Sequence, residues 1–214
     1  MHNNDAGTKN ALLAAAVRVF ADKGYSAATV REICGLAQAN VAAVNYHFGG
    51  KEPLYRSVLE HIFVRVQAEQ NRADLKRNPD ASPEERLEAY IRQKVEDIYN
   101  SDNDGGPVAA HWAIFLMEVA NPSTNLDFLV EHYVQAPADE LRSIVADILQ
   151  TPPTDPVVLN CALSIWGQLL DPLVMMPLTD RMDPPRPHVQ DNLEQFTEHL
   201  VRFTLGGIHA MKHG

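Results

Sequence analysis

The sequence predicts an all-α protein, with a small N-terminal three-helix unit followed by a larger helical domain. Three observations predict it. Apolar residues recur at helical spacing through most of the 214 residues. No run shows strand-like alternation. Capping signals stand in front of successive apolar stretches. The first helix is expected over about 9–23, with Leu13, Ala16, Val17 and Phe20 on one face and Gly24 as its stop. Thr29-Val30-Arg31-Glu32 reads as a capping box, in which the Thr hydroxyl accepts from the Glu amide and the Glu side chain reaches back. Val30, Ile33, Cys34 and Ala37 supply the buried side of that second helix. Asn40 is an N-cap for a short third helix over about 41–48, with Val44 and Phe48 inward and Gly49-Gly50 at its end. A fourth helix starts near Lys51, has Pro53 in its first turn and runs to about 71–75.

Farther on, Ser82-Pro83-Glu84-Glu85 is a second capping box and opens a helix to about Tyr99. Residues 101–107 read as a polar, Gly-rich loop. Helices are expected over 108–119, 125–150, 156–175 and 189–210, with Pro137 kinking or splitting the second of these four. The stretch Pro177–Pro187, with four prolines, reads as a long connection.

Hydrophobic residues make up 45% and charged residues 21%, a globular rather than a disordered profile. The formal net charge of −10 is unevenly spread. Residues 1–51 hold five Lys/Arg and three acids, a net of +2, and the remainder holds 13 and 25, a net of −12. A slightly basic head on an acidic body suits a small nucleic-acid reader, because phosphate contacts need only a few local cations and backbone donors. No stretch approaches 18 consecutive apolar residues and Met1–Thr8 lacks an apolar core, so a cytoplasmic location with no membrane partner is expected. Cys34 and Cys161 are too isolated for a disulfide framework or a zinc site and read as small buried hydrophobes. Nine scattered histidines, with no H-E-x-x-H, P-loop, G-x-G-x-x-G or G-x-S-x-G element, give no sign of an enzyme, a metal site or a cofactor.

Two short helices joined by a tight turn fit a helix-turn-helix. The run Thr29-Val30-Arg31-Glu32-Ile33, followed by Asn40-Val41-Ala42-Ala43-Val44-Asn45-Tyr46-His47-Phe48-Gly49-Gly50-Lys51-Glu52-Pro53-Leu54-Tyr55, resembles the signature of the TetR family of regulators. Phe20-Ala21-Asp22-Lys23-Gly24-Tyr25 is similar to that family's first-helix ending. The resemblance covers about residues 9–56. It implies a DNA-binding domain over 1–54 and an all-helical effector-binding and dimerisation domain over 55–214. It further implies that Thr29, Tyr46, His47 and Lys51 contact phosphates, and that Asn40, Val41, Ala42, Ala43 and Asn45 lie where base edges are read. The residue chemistry agrees. Tyr and His donate to phosphate oxygens, Asn can pair bidentately with adenine, and small Ala side chains let a helix approach the groove. Lys51 stands at a helix start, where the dipole favours an anion. The chain departs from the family at the turn, where Gln38-Ala39 replaces the frequent Gly-Val. Either Gln38 takes an unusual backbone conformation or the turn has a different geometry.

The resemblance implies a sequence-specific regulator, a repressor released from a pseudo-palindromic operator by a small-molecule effector. The alternative is a DNA-binding protein of the same fold without a small ligand, acting through a protein partner or chromosome organisation. The run Phe203-Thr204-Leu205-Gly206-Gly207-Ile208 is similar to the subgroup with a CecR-type C-terminal domain. Because one recognition helix reads few base pairs, a homodimer on double-stranded operator DNA is expected. Leu159, Leu163, Trp166, Leu170, Phe196, Leu200 and Phe203 are candidates for its four-helix seam. His111, Trp112, Phe115, Met117, Tyr133, Trp166 and Met175 are candidates for an effector pocket with large apolar walls and a few polar handles.

Overall fold

The computed structural model describes the backbone over residues 2–74, 80–100 and 110–212, and the side chains in those ranges other than residues 2–4, 63–74 and 111. The predicted loop 101–107 lies outside the described residues. Among the described residues, ten α-helices run in the order α1 (His2–Ala27), α2 (Val30–Leu36), α3 (Val41–Phe48), α4 (Lys51–Asp74), α5 (Pro83–Tyr99), α6 (Ala110–Ala120), α7 (Leu126–Leu129), α8 (Gln135–Leu149), α9 (Pro156–Thr179) and α10 (Leu193–Lys212). No strand occurs among the described residues. The all-α class expected from the periodicity is the observed one.

The chain forms two compact units, Met1–Asn71 with Ala109–Tyr133 and Arg72–Val108 with Val134–Gly214. In the first, α1 packs on α6, α2 and α3. The buried stripe of α1 is Leu12, Ala15, Ala16 and Phe20, while Leu13 and Val17 are only half-buried. The inward face is thus turned from the expected one, because α1 serves two sets of neighbours. Gly24 breaks the helical path with φ 70 and ψ 173, a conformation that a side chain disfavours. Behind α2 and α3, Phe20 meets Tyr55 edge-on at 4.7 Å and Tyr25 lies 4.9 Å from Tyr55. This aromatic cluster anchors the first turns of α4.

One buried polar network ties α4 to the corner after α6. Tyr55 donates to Glu118 Oε2 at 2.8 Å, and the Ser123 amide and hydroxyl donate to Glu118 Oε1 at 2.8 and 2.7 Å. Glu118 is only 1% exposed. Such a buried carboxylate is tolerable because donors satisfy both of its oxygens. Burial and the Glu118 carboxylate push the Tyr55 phenol far above its ordinary pKa.

In the second unit, α5 packs on α8 and α10, and α8 on α9. Leu87, Tyr90, Ile91, Val95 and Ile98 form the buried stripe of α5. Tyr99 donates to the Leu169 carbonyl at 2.7 Å. The expected 125–150 helix is split: α7 ends at Leu129, a π-helical turn covers Val130–Val134, and α8 follows with Pro137 in its first turn. The three elements are contiguous, so Pro137 sits inside a helical run, and the π-helical turn just before it is where the regular hydrogen-bond ladder, which proline cannot continue, is interrupted. The Pro-rich connection begins later than expected. α9 runs through Pro172 and Pro177 to Thr179, with Pro172 buried. Tertiary packing offsets the lost backbone bonds. α9 is also, by length and composition, apolar enough to cross a membrane, although only 28% of its most apolar window is buried. A large part of its apolar surface therefore faces outward in the single chain. Cys34 is buried as expected, whereas Cys161 is half-buried.

The turn before α3 resolves the question at Gln38, which adopts φ 52. A non-glycine residue there carries strain of about 1 kcal/mol. Gln38→Gly is therefore expected to raise stability by about 0.5–1 kcal/mol in urea unfolding. A loss of stability would show that the side chain makes a compensating interaction.

Candidate nucleic-acid interface

Local chemistry places α2 and α3. Thr29 caps α2: its hydroxyl oxygen accepts from the Glu32 amide at 3.2 Å, and Glu32 Oε2 accepts from the Thr29 amide at 3.0 Å. Asn40 caps α3 by accepting from the Ala42 amide at 3.0 Å, which commits its side-chain carbonyl to the helix. α3 ends at Gly49, whose φ of 86 is a left-handed C-cap. Val44 is fully buried and pins one side of α3. Asn40, Val41, Ala42, Asn45 and Tyr46 are all exposed, with Tyr46 77% exposed. Ala43 is half-buried. A short helix with one fully buried residue, a small-residue front and an outward Asn-Tyr pair has the shape and chemistry to enter a major groove.

The remaining phosphate candidates are held by neighbours. Lys51, at the start of α4, is half-buried, with Nζ 4.5 Å from the Tyr25 ring centre and 3.4 Å from the Ser26 carbonyl. Burial lowers its pKa. The Thr29 hydroxyl donates to Glu32 Oε2 at 2.8 Å. Lys23 joins the same carboxylate at 2.5 Å. Hydrogen bonds from Lys23 and Thr29 hold the Glu32 carboxyl down at about 2. His47 has its side chain only 9% exposed, with Nε2 3.4 Å from Asp5 Oδ1. The Lys23–Glu32 and Asp5–His47 pairs are not apparent from local sequence, because each joins residues of different helices.

The effector candidates divide between the two units. In the first, Trp112 meets Phe115 edge-on at 5.6 Å, Met117 lies against Gly24, and Tyr133 lies 5.9 Å from Phe128. In the second, Trp166 meets Tyr90 edge-on at 6.5 Å and Met175 is half-buried. The His111 side chain lies outside the described residues. The second unit also holds an open, mostly apolar groove of about 440 Å³ between α9 and α10, which residue patterning did not reveal; Cys161, Ser164, Phe203 and Thr204 are among its lining residues.

The dimer candidates separate by packing. Leu159, Leu163 and Phe203 are exposed, the last two at 72% and 63%. Trp166 and Leu170 are half-buried. Phe196 is half-buried and meets Tyr99 edge-on at 5.8 Å. Leu200 corrects the expectation: it is 2% exposed, within the inward stripe of α10 formed with Thr197, Val201, Thr204 and Ile208, and so belongs to the chain's own core.

An all-helical chain with a capped two-helix reader and an outward polar face on its second helix defines a helix-turn-helix transcription regulator. Residues 12–58 match the family of bacterial regulatory proteins called tetR, and residues 83–208 match the C-terminal domain of the HTH-type transcriptional dual regulator CecR. The chain belongs to the TetR family of transcriptional regulators and carries a CecR-type C-terminal domain. That family is one of transcriptional regulators rather than of enzymes.

Among curated relatives, it is similar to the HTH-type transcriptional repressor NicS of Pseudomonas putida, 39% identical over 39% of this chain and 38% of that one. It is also similar to the dual regulator CecR of Shigella flexneri, 44% identical over 25% of this chain and 24% of that one. These matches span well under half the length of either relative. Among solved structures, AibR in complex with isovaleryl coenzyme A and operator DNA shares the fold, with a TM-score of 0.64 and 19% identity over 91% of this chain and 96% of that one.

Proposed function

We propose that the chain is a cytoplasmic repressor that binds a pseudo-palindromic operator as a homodimer and is released by a small-molecule effector. Residues 1–54 read DNA, and residues 55–214 hold the effector and the dimer seam. The exposed set Asn40, Val41, Ala42, Asn45 and Tyr46, on a helix pinned by the buried Val44, carries this reading. Asn45 and the Ala42–Ala43 front face bases, while Thr29, Tyr46, His47 and Lys51 grip the backbone. The repressor name of NicS and the effector and operator in the AibR complex support this reading. The effector would act by favouring a state in which the two recognition helices no longer match the operator, and that shift requires several kcal/mol of differential affinity.

Paired substitutions test the two kinds of contact. Lys51→Ala is expected to weaken binding to operator and random duplex alike and to lower the salt slope by about one per subunit. Asn45→Ala is expected to cost about 1–3 kcal/mol on the operator only, with relaxed preference at one base pair per half-site. Equal losses on operator and random DNA would remove Asn45 from the base-reading set. An unchanged salt slope would remove Lys51 from the phosphate set. An effector is expected to raise the melting temperature with its concentration, and a metabolite screen without such a shift would favour a regulator that acts without a small ligand.

A further inference from the structure

Three of the donors that this interface offers to phosphates already have acceptors within the DNA-free chain. The Thr29 hydroxyl donates to Glu32, Lys51 reaches the Ser26 carbonyl, and His47 Nε2 faces Asp5 Oδ1. Two of these acceptors have other tasks. Glu32 completes the cap of α2, and Ser26 contributes only backbone. Asp5 has no such task in the reader helices. It stands near the start of α1, exposed, with its carboxylate on the ring nitrogen of a side chain that is itself nearly covered. Lys9, one turn further along α1, lies 5.8 Å from the Phe48 ring, so the same face of α1 meets the end of α3 twice.

We infer that Asp5 is an intramolecular stand-in for a DNA phosphate: its carboxylate occupies His47 in the free chain and must leave before His47 can donate to the backbone. This rests on the reading that His47 lies along a phosphate rail. A carboxylate and a phosphodiester both present an anionic oxygen acceptor. One imidazole N–H serves only one of them well, and the two anions repel at close range. Asp5 therefore weakens binding to every duplex regardless of sequence. It limits retention on random DNA, while base contacts, which Asp5 does not touch, still reward the operator.

The test uses the full chain, Asp5→Asn, His47→Ala and the double variant, with a labelled mixed-sequence duplex at low ionic strength. Asp5→Asn is expected to bind about two- to fivefold more tightly, the scale of an exposed ion pair. That gain is expected to vanish in the His47→Ala background. No gain, a weaker complex, or the same gain in both backgrounds would overturn the displacement, the last by reducing Asp5 to a diffuse charge. If the unsubstituted chain bound no duplex, the DNA reading and this inference would fall together. If it bound while Asp5→Asn left affinity unchanged, only this inference would fall. Because Asp5 is exposed, the substitution leaves the core intact, and a thermal melt of each variant verifies that.

Discussion

Leu163→Glu and Phe203→Glu, introduced separately, are each expected to convert the proposed homodimer to a monomer in sedimentation and to reduce operator affinity by about two orders of magnitude or more. The single chain leaves both side chains largely in water, Leu163 on α9 and Phe203 on α10, where Phe203 also lines the apolar groove between those helices. A two-fold interface uses the same patch on both subunits, so one substitution places two carboxylates in the seam. Each costs several kcal/mol to desolvate without a partner. A monomer presents one recognition helix and loses the half-site pairing that gives operator specificity, so binding should fall towards the random-duplex level. Leu200→Ala, in the chain's own core, is expected instead to lower stability by about 2–5 kcal/mol, with a dimer still formed by whatever folds. A dimer that survives both Glu substitutions would place the seam elsewhere.

Tyr55→Phe is expected to lower stability by about 1–3 kcal/mol, although it removes only one hydroxyl. The loss reflects the partner left behind: Glu118 keeps its Ser123 donors on Oε1, but Oε2 loses the Tyr55 donor within the core. In a chain of this size the melting temperature should drop by roughly 3–10 °C. The difference from the unsubstituted protein should also depend on pH. The Tyr55 pKa is raised in the folded chain, first by burial and then by the Glu118 hydrogen bond. The stability tied to its neutral form is complete below the unfolded tyrosine pKa of about 10 and is lost as pH rises towards the folded value. Urea unfolding at neutral and alkaline pH should therefore show the gap between the two proteins narrowing above about pH 10. A constant gap would mean that the bond contributes packing rather than a protonation-linked interaction. Tyr99, also raised by burial, contributes the same alkaline loss to both proteins and cancels from the comparison.

Features that depend on a few neighbouring residues were legible in the sequence. The capping boxes at Thr29 and Ser82, the Asn40 cap and the Gly49 stop each form as expected. The reader helices and their outward residues follow from those signals, because caps and periodicity act within one or two turns. The stripe on α1 was misplaced by a fraction of a turn, since several positions were apolar enough to face inward and only the neighbours chose among them. The interruption expected from Pro137 falls just ahead of it, at Val130–Val134, whereas the passage of α9 through two prolines was hidden, because local propensity opposes what packing supplies.

The sequence by itself determined an all-helical regulator, the position of its reader and the residues that α3 turns outward, since these depend on local capping, 3.6-residue periodicity and a compact motif. Only the tertiary structure decided that Leu200 is core while Leu163 is surface, that Glu118 is buried against Tyr55, and that Asp5 meets His47. In each case residues distant in sequence compete for the same space, and burial and charge pairing are properties of the packed arrangement rather than of any segment.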